Sequence, residues 1–385
     1  MIKFKTYTAA KNLPEHWDTL NSHDVMLQKA YLRVLEKASP ETIRCYFIAF
    51  FQDDKLVGTA IMQKAELYAK DMFRKNGASL WKQTLRKLLS LLLKGNILVL
   101  GNLMHTGQHG YSFDVASVKF SVFFEALIAA MEHLEKEIKN TTGKHIRLYL
   151  LKDFYETDNM VKNHSRLKEL QFSKAWAQPN MVLDVSSGWN STKAYVNDLV
   201  AKYRKRYKTA RKKLKPTETR ELDLEAITNE SFVIYRLYKN VSDNAKFNTF
   251  ILPENHFSEL KKQMGDGFKL FGYYLNNELI GFYSLLLNAK TLETYFLGYD
   301  VKYQYRKQLY LNMLYDMLEY AVNRNYTQVV YARTAMEIKS SVGAKPVGMS
   351  MYLKHTNPLL NALLKPIFNV MSPKQKWEER NPFGK

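Results

Sequence analysis

The sequence predicts two tandem α/β domains, each a mixed, mostly antiparallel sheet flanked by helices. Three observations lead there. A hairpin is written twice, because Asp53-Asp54-Lys55-Leu56-Val57-Gly58 aligns residue for residue with Asn276-Asn277-Glu278-Leu279-Ile280-Gly281. The same order of elements follows each copy. A chain of 385 residues, 46% apolar and 24% charged, is long for one core and comfortable for two.

Each element can be read in turn. The polar pairs are turn residues between strand-like apolar runs, as in a tight hairpin. After the first hairpin, Asn96 to Leu103 reads as a strand; after the second, Leu292 to Asp300 does. Helical periodicity follows over 115–139, with Val118, Val122, Leu127, Ala130 and Leu134 among its apolar positions. The second copy spans 308–323, with Leu311, Leu314, Leu318 and Val322 on one stripe. Each helix meets a β-type run, "HIRLYLL" or "TQVVYAR", then a polar helical piece. "MVLDV" (181–185) is expected to close the first half and "MSMYL" (349–353) the second. Between the halves, 194–216 reads as one cationic helix ended by Pro216. Val196, Leu199, Val200 and Tyr203 form its apolar stripe, and eight Arg and Lys side chains from Arg204 to Lys215 cover the rest. The expected boundaries are 1–187, a connecting helix 188–216, 217–355 and an amphipathic C-terminal segment 356–385.

Bulk properties narrow the partners. Cys45 is the single cysteine, so an intrachain disulfide and a cysteine metal cluster are excluded. The N-terminal residues lack the apolar core of a signal peptide, and the longest apolar runs are too short to span a bilayer. A cytoplasmic protein is expected. A formal charge of +20 predicts attraction to an anionic partner: tRNA, a carrier protein, a coenzyme with phosphates or a lipid headgroup surface. Two Leu-rich basic segments, Ser79 to Asn96 and Asn357 to Met371, have the character of interfacial helices. Peripheral attachment to the inner face of the membrane is therefore a second expectation, packing on a domain being the alternative.

The two-half order, the basic run "KYRKRYKTARKKLK" and the segment "YARTAMEIKSSVGAKP" together resemble the FemAB-like branch of the GNAT superfamily. The matching residues are Arg204, Arg206 and Arg211, then Arg333, Thr334, Lys339, Gly343 and Ala344. The resemblance is strongest over 194–353. It implies tandem acyltransferase-type domains that transfer an acyl or aminoacyl group to an amine. The donors it implies are acyl-CoA, acyl-carrier protein or aminoacyl-tRNA; the acceptors are cell-wall precursors, small amines or amino-lipids. The sequence departs from the wider superfamily where a glycine-containing loop would hold the coenzyme pyrophosphate through backbone N–H groups. That place reads "DVKYQYRKQLY" in the second half, without glycine, and "MHTGQHGYSFD" in the first, without the usual spacing. Tyr303, Arg306 and Lys307 are the side chains expected to hold phosphate there instead. With Arg204, Arg206, Arg211, Arg333, Thr334 and Lys339 they make the expected donor-binding set.

Amide formation needs a deprotonated amine, a polarised carbonyl and a protonated leaving group. Glu293 or Asp300 is the candidate proton acceptor and Tyr299 the candidate donor, all on or beside the predicted central strand. Alternatively, Glu293 lies in a solvated turn and Asp300 caps the next helix. Arg333, embedded in apolar residues, calls for a ligand anion or a carboxylate such as Glu337. His105 and His109 have i, i+4 spacing but glycine between them and no evident third ligand, so no metal is expected. No G-x-S-x-G nucleophile elbow occurs. The combined reading is an N-acyltransferase using an acyl-CoA or acyl-carrier-protein thioester, with the amine of a lipid or lipid precursor as acceptor, at an anionic membrane surface. Its alternatives are aminoacyl transfer from tRNA to a cell-wall precursor, and a non-catalytic binding module of the same fold.

Overall fold

The structure, a computed structural model, describes residues 2–67, 94–176, 178–244, 250–371 and 377–384, with no side-chain description for 365–371. Most of the basic segment expected near 79–96 lies outside the described residues. Two compact units form, one from 1–177, 246–252 and 348–374, the other from 178–245, 253–347 and 375–385. Among the described residues, no helix is long and apolar enough to cross a membrane.

The first unit is built on strands β1 (Lys3–Tyr7), β2 (Ile43–Gln52), β3 (Lys55–Leu67), β4 (Gly95–Leu100), β5 (Tyr111–Phe113), β6 (Ile146–Tyr155) and β7 (Ser173–Trp176). A strand from far along the chain, β15 (Met349–His355), enters between β6 and β7, giving the order β1-β2-β3-β4-β6-β15-β7 with β5 paired to β3. Helix α1 (Phe120–Thr142) buries Phe123, Phe124, Leu127, Met131 and Leu134 in this unit's core.

The second unit has strands β8 (Asn180–Asp184), β9 (Glu218–Glu221), β10 (Phe268–Leu275), β11 (Glu278–Asn288), β12 (Thr291–Tyr299), β13 (Gln328–Val330) and β14 (Lys345–Val347), in the order β14-β8-β13-β12-β11-β10-β9. Its helices include α2 (Thr192–Asp198), α3 (Ala201–Leu214), α4 (Ser231–Asn244), α5 (His256–Met264), α6 (Val301–Lys307), α7 (Leu309–Asn323) and α8 (Met336–Ser340). Helix α7 buries Leu309, Leu311, Met313, Leu314 and Leu318 against Ile280, Leu285, Leu292 and Val329 of the sheet.

The hairpin repeat is real in three dimensions. Asp53 and Asp54 have φ of 48° and 62°, Asn276 and Asn277 of 52° and 63°, the left-handed pair of a type I′ turn that short polar residues tolerate. The register slips at the same place in both, since Phe50 faces Gly58 while Phe51 faces Leu56, and Tyr273 faces Gly281 while Tyr274 faces Leu279. Glycine follows each bulge because a helix crosses there. A Cβ on Gly58 would lie 2.4 Å from the Phe123 ring of α1, and one on Gly281 would lie 3.0 Å from Met313 Cε of α7.

Two expectations are corrected. Each half was expected to close with its own last strand, yet β8 pairs with β13 and β14, while β15 pairs with β6 and β7. The closing strands are exchanged: both runs show strand character, but pairing is a long-range choice that neither run encodes alone. The cationic helix is broken into α2 and α3 at Leu199–Val200, both extended. Arg204 donates to the carbonyls of Val196, Asn197 and Leu199 at 3.3, 2.8 and 2.9 Å, satisfying groups that the break leaves open.

Candidate active site

Strands β12 and β13 run parallel for only three residues, Thr291 to Glu293 beside Gln328 to Val330. Beyond that point they part. β12 continues beside β11 as far as Tyr299, opposite Gly281. The other chain stays with β8, since Tyr331 N donates to Met181 O at 2.8 Å and Met181 N to Ala332 O at 3.1 Å. Among the described residues, no strand pairs with the β13-side edge of β12 past Glu293. The result is a wedge between the two strands, the kind of opening that an extended amide-bearing ligand enters as an added strand.

Glu293 stands at the apex of the wedge. It is 4% exposed, between Leu286 of β11 and Val330 of β13, a buried strand carboxylate rather than a residue of a solvated turn. Tyr295, two residues on and on the same face, has its hydroxyl 3.0 Å from Nε2 of buried His256 on α5. Between the Leu285–Thr294 and Tyr283–Leu297 pairs, Ser284 of β11 faces two residues of β12, Tyr295 and Phe296, and this bulge inverts the alternation. Leu297 and Tyr299 therefore pack with the α7 side, where Tyr299 meets the Tyr310 ring at 6.5 Å. Glu293 and Tyr299 are thus on opposite faces, about 20 Å apart along the strand at ~3.3 Å per residue. They cannot form one acid–base pair. Asp300 is a helix cap: its Oδ1 accepts from Lys302 N at 2.8 Å. The expected trio is a single buried carboxylate plus two residues at the far rim.

The opposite wall is the segment Tyr331 to Ala335. Ala332, Thr334 and Ala335 have φ of 58°, 66° and 47°. Left-handed backbone at three non-glycine residues costs about 1 kcal/mol or more each and persists only where the surroundings impose it. Lys339, on α8 and 4% exposed, supplies that constraint: its Nζ donates to Ala332 O at 3.1 Å and Arg333 O at 2.6 Å. Burial lowers its ammonium pKa to about 7 and that of the Arg333 guanidinium to about 10. Lys339 thus shapes the loop that carries Arg333 and exposed Thr334. Glu337, the carboxylate considered for Arg333, is instead paired with Arg380.

The remaining expected donor residues divide. Arg211 is a structural cation. It pairs with Asp316 and, at 3.2 Å, with Glu319 of α7, under the rings of Tyr207 and Tyr315, so its charge is already used. Arg204 is used on α2, as described. Lys307 Nζ donates to Lys215 O at 2.6 Å, tying α6 to the end of α3. Tyr303 packs against the core beside Lys302, and Arg306 is exposed on α6. Ahead of α7, Gln308 is left-handed and Gln304 Oε1 accepts from Tyr310 N at 3.0 Å, so a side chain occupies a backbone donor that the glycine loop would have offered to phosphate. Arg206 faces a cavity. That cavity, about 580 Å³, lies between α3, α8 and the C-terminal segment, and Trp377 and Arg380 complete it. Sequence reading missed these two because nothing local marks a terminal segment that folds back.

The corresponding place in the first unit is filled. β4 and β6 run parallel from Asn96 and Ile146 to Leu100 and Leu151, but the loop from Gly101 to Gly110 returns to β3, where Gly101 N donates to Ile61 O and Ile61 N to Gly110 O. Lys152 on β6 donates to His105 O at 2.7 Å and contacts Asp153, which accepts from Gly107 N at 3.4 Å. His109 Nδ1 lies 2.7 Å from Asp24 Oδ2 in the interior, and its charge and hydrogen bond outweigh burial, holding the Asp24 pKa below the ordinary carboxylate value.

Residues 201–340 match the family model of the acetyltransferase (GNAT) domain. No curated protein sequence matches the chain. Among solved structures, FemX is similar at 14% identity and a TM-score of 0.55, covering 94% of this chain and 100% of that one. A tandem GNAT protein from the clavulanic acid biosynthesis pathway is similar at 9% identity and 0.52, covering 93% and 99%. L-PGS from Bacillus licheniformis is similar at 8% identity and 0.50, covering 96% and 100%. At these identities the likeness is one of fold: tandem GNAT domains.

Proposed function

We infer, from a GNAT acetyltransferase domain over residues 201–340 set in a tandem GNAT fold, that the chain is an amide-forming acyltransferase of the GNAT superfamily. The finer reading proposed is transfer of an acyl group from a thioester, acyl-CoA or acyl-carrier protein, to the amine of a lipid or lipid precursor at a membrane surface. The observation that carries it is the wedge between β12 and β13, with buried Glu293 at its apex and the Lys339-anchored loop as its far wall. The donor's amide-bearing arm would run along β12 past Glu293, where no described strand pairs on the β13 side. The acceptor nitrogen attacks the thioester carbonyl carbon, Glu293 takes the ammonium proton, and the tetrahedral intermediate collapses as the C–S bond breaks. A thiolate of pKa about 8.5 leaves without a dedicated acid, so the separation of Tyr299 from Glu293 is compatible with a thioester.

The lipid acceptor draws support from the C-terminal helix Pro358–Met371, where Leu359 is 81% and Leu363 45% exposed, one turn apart. A second reading, aminoacyl transfer from tRNA, is favoured by α3, which carries no acidic residue among its eight cations, and by the missing phosphate-loop glycine. Flotation with anionic liposomes and a tRNA-binding assay separate the two. Tight, salt-sensitive tRNA binding without liposome association would exclude the lipid version. For catalysis, Glu293→Gln should lower acyl transfer to a panel of amines by about 10²-fold or more while the fold is kept. Full activity in that variant would remove Glu293 from the mechanism.

A further inference from the structure

The cavity beside α3 has a chemistry of its own. Lys202 and Arg206 stand at i and i+4 on one face of α3, and neither has a carboxylate partner among the described residues. The one acid at the rim, Glu337, is held by Arg380, which also binds Glu378 Oε1 at 2.6 Å. Two cations are therefore left to face an anion. Trp377 and Tyr203 bring aromatic rings to the same space, and Met336 adds an apolar surface. The C-terminal segment that forms this wall is firmly seated: Val200 N donates to Pro382 O at 2.9 Å, and Arg380 N to Ser340 Oγ at 2.9 Å. Phe383 lies 5.3 Å from the Trp189 ring, closing so tightly on Gly343 that a Cβ there would fall 2.5 Å from it. The volume, about 580 Å³, is that of a site for a nucleotide-sized ligand.

We propose that this cavity binds the phosphorylated nucleoside end of the acyl donor, with phosphate on Lys202 and Arg206 and the base against Trp377. That the ligand is the donor rests on the acyltransferase reading; the binding chemistry does not. The proposal moves the nucleotide away from the start of α7, where Gln304 already takes the Tyr310 N–H and no glycine lets a phosphate approach the backbone. An adenosine carrying phosphate arrives in either of two ways, as the end of coenzyme A or as the 3′ end of an RNA. Stacking on an aromatic face combined with cation pairing suits both.

The experiment is calorimetric titration of the whole protein with adenosine 3′,5′-bisphosphate and with the trinucleotide CpCpA, in wild type, Arg206→Ala and Trp377→Leu. Binding of at least one probe, weakened tenfold or more by each substitution with melting curves intact, supports the site. The probe that binds names the source. Should Arg206→Ala fail to fold, Lys202→Ala takes its place. Absence of binding at millimolar probe, or binding that ignores both substitutions, overturns the proposal. Acyl transfer from an acyl-pantetheine lacking any nucleotide is measured in parallel. Transfer from it with no nucleotide binding would keep the acyltransferase and discard the cavity assignment.

Discussion

Arg211 offers a test of whether a cation that the family resemblance places with the donor is instead structural. Substituting Arg211→Met keeps the aliphatic stem between Tyr207 and Tyr315 and deletes the charge. Asp316, whose side chain is 14% exposed, then keeps only the Tyr273 hydroxyl as a hydrogen-bond donor. Breaking one side of a buried pair costs about 3–5 kcal/mol because the surviving charge is left desolvated. For a unit of this size that corresponds to roughly 6–20 °C in Tm, at 2–4 °C per kcal/mol. The pH dependence has a definite sign. Burial already raises the Asp316 pKa, against the opposing pull of Arg211, and losing Arg211 raises it further. A carboxyl whose folded pKa exceeds its unfolded value is most favourable below the unfolded pKa of about 3.9, and stability is lost as pH rises through the folded pKa. The penalty of the substitution should therefore be largest at pH 8 and shrink toward pH 5. Asp316→Asn added to Arg211→Met should recover much of it, since the amide still accepts from Tyr273. Thermal melts of the three variants at two pH values decide the matter. An unchanged Tm with a tenfold rise in donor KM would refute the structural role and return Arg211 to the donor site.

Lys339 predicts a slope of opposite sign. Its pKa of about 7 in the folded protein lies below the unfolded value of about 10.4, so the unfolded chain holds the extra proton between them. Stability should rise from pH 7 to 9 by up to ~3 kcal/mol, at 1.36 kcal/mol per pKa unit, and Lys339→Met should flatten that rise; identical urea-melt slopes in both proteins would dismiss it. Gly58→Ala should cost about 2 kcal/mol, because its Cβ meets a packed aromatic ring, and Gly281→Ala less, because Met313 Cε is the end of a flexible side chain. The reverse order in denaturant titrations would break the argument from helix contact. Arg204→Ala should cost about 1–2 kcal/mol through the carbonyls it leaves at the end of α2, with donor KM unchanged. A donor KM shift without destabilisation would contradict that.

Local chemistry was legible in the sequence. Asn276-Asn277 and Asp53-Asp54 specify a left-handed turn pair by residue type alone, and the period of Leu311, Leu314 and Leu318 specifies a helix face. The resemblance read over 194–353 fell on the same half as the acetyltransferase (GNAT) model match at 201–340. What escaped reading was long-range. β8 and β15 are alike as short apolar runs, and only the completed sheets decide that each joins the other half's sheet. A single bulge between Thr294 and Leu297 put Glu293 and Tyr299 on opposite faces, and strict alternation cannot foresee it. Trp377 reaches the α3 cavity through a terminal segment whose course depends on Phe383 finding Gly343.

The two halves differ most where their parallel strands end, and the difference is physical rather than a matter of motif. In the first unit the loop after β4 folds back, and Lys152 and Asp153 of β6 bind its backbone at His105 and Gly107, so the gap between the strands is closed by the protein's own polar groups. In the second, the chain after β12 leaves through α6 and α7, and Lys339 turns its hydrogen bonds onto the loop after β13 instead. The lysine does a similar job in both, donating to backbone carbonyls, but in one case it pins a plug and in the other it pins a wall. An extended acyl donor, on the function proposed, lies along the second of these gaps, where no described strand pairs with β12 past Glu293. The two copies of the hairpin and sheet thus differ in the chain that follows the central strand, which fills the gap in the first unit and leaves it without a paired strand in the second.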